Sequence, residues 1–259
     1  MAKRPVVVVG VGEMGSVFAR GFLRLGHPVY PVNRDIRMKR VAKRLPDPEL
    51  VLLAVAEKDL AGVLDRVPKG WRKRLALLQN ELLPNDYRHV DRVTVISVWF
   101  EKKKGQDVRV ILPSPAHGRR AKLLAKALGK LDIPVKVVKK QRDMLEELVV
   151  KNLYILTSNI AGLRTGGNVG ELWERHRDLA RAVANEVIVL QEALTGSRLD
   201  NDRLIAAMAE AFAADPAHQC MGRSAPARLR RALDGAERLG IELPTLRGIA
   251  QDLGEDAGA

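Results

Sequence analysis

The chain has 259 residues, 46% of them hydrophobic, enough for one large or two smaller folded domains and too apolar for a disordered chain. A single cysteine, Cys220, excludes an intrachain disulfide and points to a reducing, cytoplasmic setting. No apolar run reaches the roughly 18–20 residues that cross a bilayer, so no membrane partner is expected, and the formal net charge of +13 raises the question of an anionic one.

The opening MAKRPVVVVG couples a basic start to a short apolar run. The run is too short for a leader and lacks a small-residue cleavage site, so it reads as a first strand. Strands are predicted over Pro5–Gly10, Pro28–Val32, Leu50–Val55, Leu75–Gln79, Val93–Phe100, Val108–Leu112 and Pro134–Val138. They are short, rich in Val, Ile and Leu, and mostly continuous rather than alternating, the pattern of strands buried on both faces. Helical patterns fall between them, notably Met14–Leu25 and His117–Leu131. Beyond residue 140 the pattern is helical alone, over Gln141–Leu163, Gly170–Ala193, Asp200–Ala213, Ala225–Leu239 and Leu246–Leu253. The expected architecture is an α/β Rossmann domain with a mostly parallel sheet (1–140), then an all-α domain (141–259). With no linker between them, a ligand cleft at their junction is expected.

The basic residues lie in short runs, RMKRVAKR (37–44), KGWRKR (69–74) and EKKKG (101–105), with no zinc-finger or RNP-like pattern. A solvated arginine-rich surface and a phosphorylated cofactor both account for them, and nucleic acid is not expected as the main partner. His27, His89, His117, His176 and His218 show no metal-ligand spacing, so no metal is expected.

Gly10, Gly12 and Gly15 stand in the spacing G-x-G-x-x-G, with Glu13 and Met14 inside the turn, directly after a strand and at the start of a helix. The first glycine permits the tight turn, the second lets a pyrophosphate approach the backbone, and the third lets the helix pack on the strand. At the end of the second strand, where an acid would hold a ribose 2′-hydroxyl, the sequence reads PVNRDI. Asn33 followed by Arg34 suits a 2′-phosphate and favours NADP(H). Asp35 leaves NAD(H) open, since a shift of the strand end would make it the ribose acid.

The helix from Gln141 places Glu147, Lys151, Tyr154, Ser158 and Asn159 on one side and Leu145, Leu148, Val149, Leu153, Leu156 and Ile160 on the other. Such a side is either the wall of a polar cavity or an edge in which Lys151 pairs with Glu147 across one turn.

The glycine turn GVGEMG (10–15), the segment ELVLLAVAEKDL (49–60), LLQN (77–80), the run from ELVVKNLYILTSNIAG to GGNVGEL (147–172), AHQCM (217–221) and ERLGIELP (237–244) together resemble the ketopantoate reductase (2-dehydropantoate 2-reductase) family of the 6-phosphogluconate dehydrogenase-type superfamily. The resemblance implies a 6-phosphogluconate dehydrogenase-like helical domain and an oxidoreductase that passes a hydride from NADPH to a small-molecule carbonyl, as a monomer or homodimer. It makes Lys151 the catalytic lysine and Asn159 a substrate-contacting asparagine; Tyr154 and Ser158 on the same side of the helix, and Cys220 at the family's serine position, are further substrate-binding candidates. It matches Gly10, Gly12, Gly15 and Arg34 to the NADPH site and Asn80 to an asparagine near the nicotinamide ribose; Glu13, Met14, Asn33 and Ala56, beside these, complete the cofactor candidates. Several positions depart from the family pattern. Ile155 and Val169 stand where asparagines are expected, with Asn168 displaced by one. Cys220 stands for a serine, Ser224 for a glutamate, Ala56 for a lysine (with Lys58 close by) and Glu81 for a glycine. The hydride-transfer half is thus kept while the substrate half is rebuilt. The implied function is NADPH-dependent reduction of a 2-oxo acid or related carbonyl, with Lys151 as general acid. The alternative is a catalytically silent NADP-binding protein serving as a redox sensor or partner subunit.

Overall fold

The structure, a computed structural model, describes residues 3–256, with the side chains of residues 255 and 256 outside that description. The chain divides into two compact units, Met1–Glu147 and Leu148–Ala259, and the division falls inside the helix Gln141–Thr165.

The first unit holds strands β1 (Val6–Val9), β2 (Val29–Val32), β3 (Leu50–Leu53), β4 (Leu75–Leu77), β5 (Thr94–Ile96), β6 (Phe100–Glu101), β7 (Arg109–Val110), β8 (Ser114–His117) and β9 (Val135–Val138). Its helices are α1 (Glu13–Arg24), α2 (Met38–Arg44), α3 (Leu60–Arg66) and α4 (Ala121–Gly129). Seven strands form one sheet in the order β2-β1-β3-β4-β5-β8-β9. The first five run parallel; β8 runs antiparallel to β5, and β9 parallel to β8. Val6, Val7, Val8 and all of Leu50–Leu53 are fully buried, as the continuous apolar runs required. Phe18 and Phe22 of α1 and Leu124 and Leu128 of α4 fill the same core. The two edge strands, β2 and β9, are the least buried; Pro31 is tolerated in β2 because an edge strand leaves one side of its backbone unpaired.

The sheet departs from expectation in one region. The run Val93–Phe100 is not one strand: β5 stops at Ile96, and Phe100–Glu101 pairs with Arg109–Val110 in a separate antiparallel ribbon. The Val108–Leu112 segment therefore lies outside the main sheet. The seventh strand is β8, where a helix was expected from His117 and where Pro113, Pro115 and Gly118 argue for a turn. Pro115 is accommodated because its carbonyl, the group it retains, accepts from Ser97 N–H at 2.9 Å. The helix begins only at Ala121.

The second unit is helical: the remainder of α5 (Gln141–Thr165), then α6 (Val169–Arg175), α7 (Arg177–Thr195), α8 (Asn201–Ala214), α9 (Ala225–Leu239) and α10 (Pro244–Asp256). The expected single helix over Gly170–Ala193 is broken at His176, whose φ of −126° and ψ of 33° are not helical. Asn168 caps α6 by accepting from Glu171 N–H at 2.9 Å, while the Glu171 carboxylate accepts from Asn168 N–H at 3.1 Å, a reciprocal capping box. Inside the unit, Asn152 of α5 donates to Gln191 of α7 at 2.9 Å, satisfying two buried amides against each other. Glu186 of α7 caps the start of α10, accepting from Thr245 N–H at 2.6 Å and Leu246 N–H at 3.0 Å. Among the described residues no helix is long and apolar enough to cross a membrane.

Candidate functional site

In the first unit, β2 lies on one side of β1 and β3 on the other. The carboxyl ends of β1 and β3 are therefore the topological switch point, where open α/β sheets take ligands. The glycine turn sits there. Gly10 has φ +87°, and a Cβ on it would lie 2.5 Å from Ala54 O. A Cβ on Gly15 would lie 2.0 Å from Gly10 O, so α1 closes on the turn only because Gly15 has no side chain. Gly12 is exposed, with no atom within 4 Å of the place a Cβ would take. No side chain caps the first turn of α1. Two glycines thus serve the fold, and the third leaves an open approach to backbone N–H groups.

The other cofactor candidates reach the same edge of the sheet from the ends of β2, β3 and β4. Asn33 follows β2, and its Oδ1 accepts from Val11 N–H at 3.1 Å, tying the strand end to the turn. The Arg34 side chain is 98% exposed, 3.9 Å from Asp59, and Asp35 is exposed beside it. Ala56 is exposed beyond β3, and Asn80 is half-buried beyond β4. Glu13 is exposed and pairs with Lys102 at 3.4 Å, while Met14 packs against the core. Gln79, the last residue of the strand expected over Leu75–Gln79 but beyond the end of β4, holds this edge together. Its Nε2 donates to Leu53 O at 2.6 Å and Val55 O at 3.2 Å, and its Oε1 accepts from Leu78 N–H at 3.2 Å.

Glu81 adopts φ +57°, a left-handed backbone that favours glycine, which explains the glycine the family pattern places there. Glu81→Gly is expected to stabilise the protein by about 0.5–1 kcal/mol, read as a higher urea midpoint at unchanged slope. A lower midpoint would mean that contacts of the Glu81 side chain outweigh the strain.

In the second unit, Lys151 is half-exposed, with Nζ 5.4 Å from the centre of the Tyr154 ring, a cation–π distance. Glu147, the last residue of the first unit, pairs with Lys136 at 3.0 Å. Tyr154 is nearly buried, its ring 5.2 Å from Phe212 and 5.9 Å from His218. The Ser158 hydroxyl turns back onto its own helix and donates to Tyr154 O at 2.7 Å. Asn159 donates to Ser158 Oγ at 3.4 Å and accepts from Arg228 Nη1 at 2.8 Å; Arg228 also donates to Ser224 Oγ at 2.8 Å. Arg228 escaped sequence reasoning. Its one signal in the sequence is its place one helical turn after Ser224, near which the family pattern has a glutamate.

Cys220, expected beside the substrate, is fully buried and packs against Gly162, and its N–H donates to Gly167 O at 3.0 Å. Burial, with a smaller contribution from the Glu171 carboxylate, pushes the thiol up to about 11. The thiol therefore stays protonated at neutral pH and is a packing group rather than a nucleophile. Ile155, in an expected asparagine position, is also buried.

The sequence matches no protein-family model, and no curated protein is significantly similar to it. The fold, in contrast, has many close counterparts. The 2-dehydropantoate 2-reductase of Methylococcus capsulatus superposes with a TM-score of 0.70 at 16% identity, over 97% of this chain and 96% of that one. The dimeric ketopantoate reductase of Staphylococcus aureus gives 0.64 at 15% identity, over 97% and 98%. A D-mandelate dehydrogenase in complex with NADH gives 0.69 at 15% identity, over 98% and 99%. The chain thus has the ketopantoate reductase fold along nearly its whole length, as the motifs implied.

Proposed function

We propose that the protein is a nicotinamide-nucleotide-dependent reductase of a small 2-oxo acid or related carbonyl, with NADP(H) preferred to NAD(H). The observation that carries this reading is the glycine turn at the switch point, where Gly10 and Gly15 leave no room for a side chain and Gly12 faces open space. The preference for NADP(H) rests on Arg34, exposed at the end of β2 beside the uncharged Asn33, where a guanidinium can grip a 2′-phosphate. Similarity of fold to 2-dehydropantoate reductases and to D-mandelate dehydrogenase supports the choice of reaction.

When bound, the nicotinamide supplies a hydride to the carbonyl carbon. The chain's own residues do the rest. Lys151, its ammonium held against the Tyr154 ring, gives a proton to the carbonyl oxygen, leaving a hydroxyl on the product and a neutral amine that water reprotonates. Arg228, positioned by Asn159 and Ser224, holds the substrate carboxylate in place of the serine and glutamate that the family pattern puts in this part of the chain.

The test is NADPH and NADH oxidation across a panel of 2-oxo acids and aldehydes. Turnover of a 2-oxo acid with NADPH favoured is the expected result; tight NADPH binding without turnover of any of them would instead mark a silent nucleotide-binding protein. With the substrate in hand, Arg228→Leu is expected to raise KM about 10–100-fold with little change in kcat, the worth of a hydrogen bond to a charged group. An unchanged KM would place the carboxylate elsewhere.

A further inference from the structure

A groove in the first unit lies away from the glycine turn. Thr94 begins β5, at the amino-terminal edge of the parallel strands. Because β8 runs antiparallel to β5, its last residue, His117, comes to that same edge opposite Val95. The strand β9, parallel to β8, ends there too and leads into α5. Gly10, Asn33, Ala56 and Asn80 all follow carboxyl ends of β1–β4, on the opposite edge. At the amino-terminal edge is a groove of about 700 Å³, within the roughly 300–1,000 Å³ usual for small-molecule sites.

The charged side chains that line the groove are all basic. Arg88, Arg92 and Arg119 line it together with His117 and Tyr87, and no carboxylate does. Its apolar wall comes from Val90, Val95 and Met144, each buried. Asp86, beside Tyr87 in the chain, is turned to its own backbone and accepts from Leu83 N–H at 2.7 Å.

The positively charged rim is held in place by the fold. Gly118 has φ +109°, and a Cβ on it would lie 2.6 Å from Val93 O. The next turn is pinned by Arg120 N–H donating to Thr94 Oγ1 at 3.0 Å, so Arg119 sits between two fixed points. His117 Nδ1 bonds Val138 O at 3.0 Å, which fixes that ring as well. Arg92 adopts φ +58°, a conformation an arginine reaches only at a cost. Strain of this kind collects at binding sites, where the required side chain overrides local preference. Burial and the neighbouring Asp86 push the Tyr87 phenol up to about 12, keeping it a hydrogen-bond donor across the neutral range.

We infer that this groove is a second ligand site, separate from the nucleotide edge, for a small organic anion with an apolar body, such as an aryl or acyl carboxylate or phosphate. The guanidinium groups of Arg92 and Arg119 take the anionic group, and the apolar wall takes the body.

The probe that matches this chemistry is 8-anilinonaphthalene-1-sulfonate, with neutral N-phenyl-1-naphthylamine as its uncharged counterpart. Fluorescence titration of the whole protein, with NADPH saturating, is expected to show one sulfonate-probe site per chain and weaker binding of the neutral probe. The Arg92→Gln/Arg119→Gln variant should lose at least about tenfold in sulfonate affinity, as for a lost charge-assisted hydrogen bond, with NADPH affinity unchanged. Arg92→Gly carries a second readout that a purely structural arginine would not give: higher thermal stability together with weaker sulfonate binding. Equal affinity in the double variant, or no probe binding while NADPH saturates the protein, would overturn the inference.

Discussion

Replacement of Lys151 by alanine is expected to lower kcat by about 10²–10⁴-fold on whichever carbonyl substrate the wild type reduces, the usual worth of a positioned general acid. NADPH affinity should stay within about twofold, because no group proposed to hold the nucleotide is altered. Lys151→Arg sharpens the test. It keeps a cation in reach of the Tyr154 ring, but a guanidinium does not give up its proton near neutral pH. If Lys151 acts only by charge, the arginine variant recovers most of the rate; if it donates a proton, both variants are slow. A fully active Lys151→Ala enzyme would remove the lysine from the mechanism altogether.

The second large effect separates two glycines of one motif. Gly15→Ala puts a Cβ 2.0 Å from Gly10 O, a backbone atom that cannot yield without moving the turn. A loss of about 3 kcal/mol or more is expected, at the upper end for overpacking, and with it the nucleotide site. Gly12→Ala meets nothing within 4 Å and should leave the melting temperature nearly unchanged. It is nevertheless expected to weaken NADPH binding by tenfold or more, since the added methyl occupies the approach of the pyrophosphate. Stable protein with unaltered NADPH affinity in the Gly12 variant would put the nucleotide elsewhere.

The features that could be read from the sequence were those with a local cause. The run VVVVGVGEMG declares a buried strand, a tight turn and a helix within ten residues, and each lies where expected. The cap explains Asn168 on local grounds, and the left-handed backbone at Glu81 explains why the family pattern places a glycine there. What could not be read depends on partners far along the chain. Ser114–His117 contains Pro115 and is flanked by Pro113 and Gly118, yet becomes a strand because β5 and β9 pair with it from either side. The break at His176 is invisible to periodicity, because apolar residues continue on the same face beyond it. The contact between Arg228 and Asn159 spans 69 positions, and no spacing rule anticipates it. The burial of Cys220 against Gly162 is likewise a property of tertiary packing.

The central claim is hydride transfer from a bound nicotinamide to a carbonyl carbon. Its most direct test is mass spectrometry of the product formed from a panel of 2-oxo acids with NADPH deuterated at C4, each face labelled in turn. One of the two labelled forms should deliver a single deuterium, as deuteride, to the new carbinol carbon of a 2-hydroxy acid, and the other none. Saturable NADPH binding with no labelled product from either form, across the whole panel, would contradict the account.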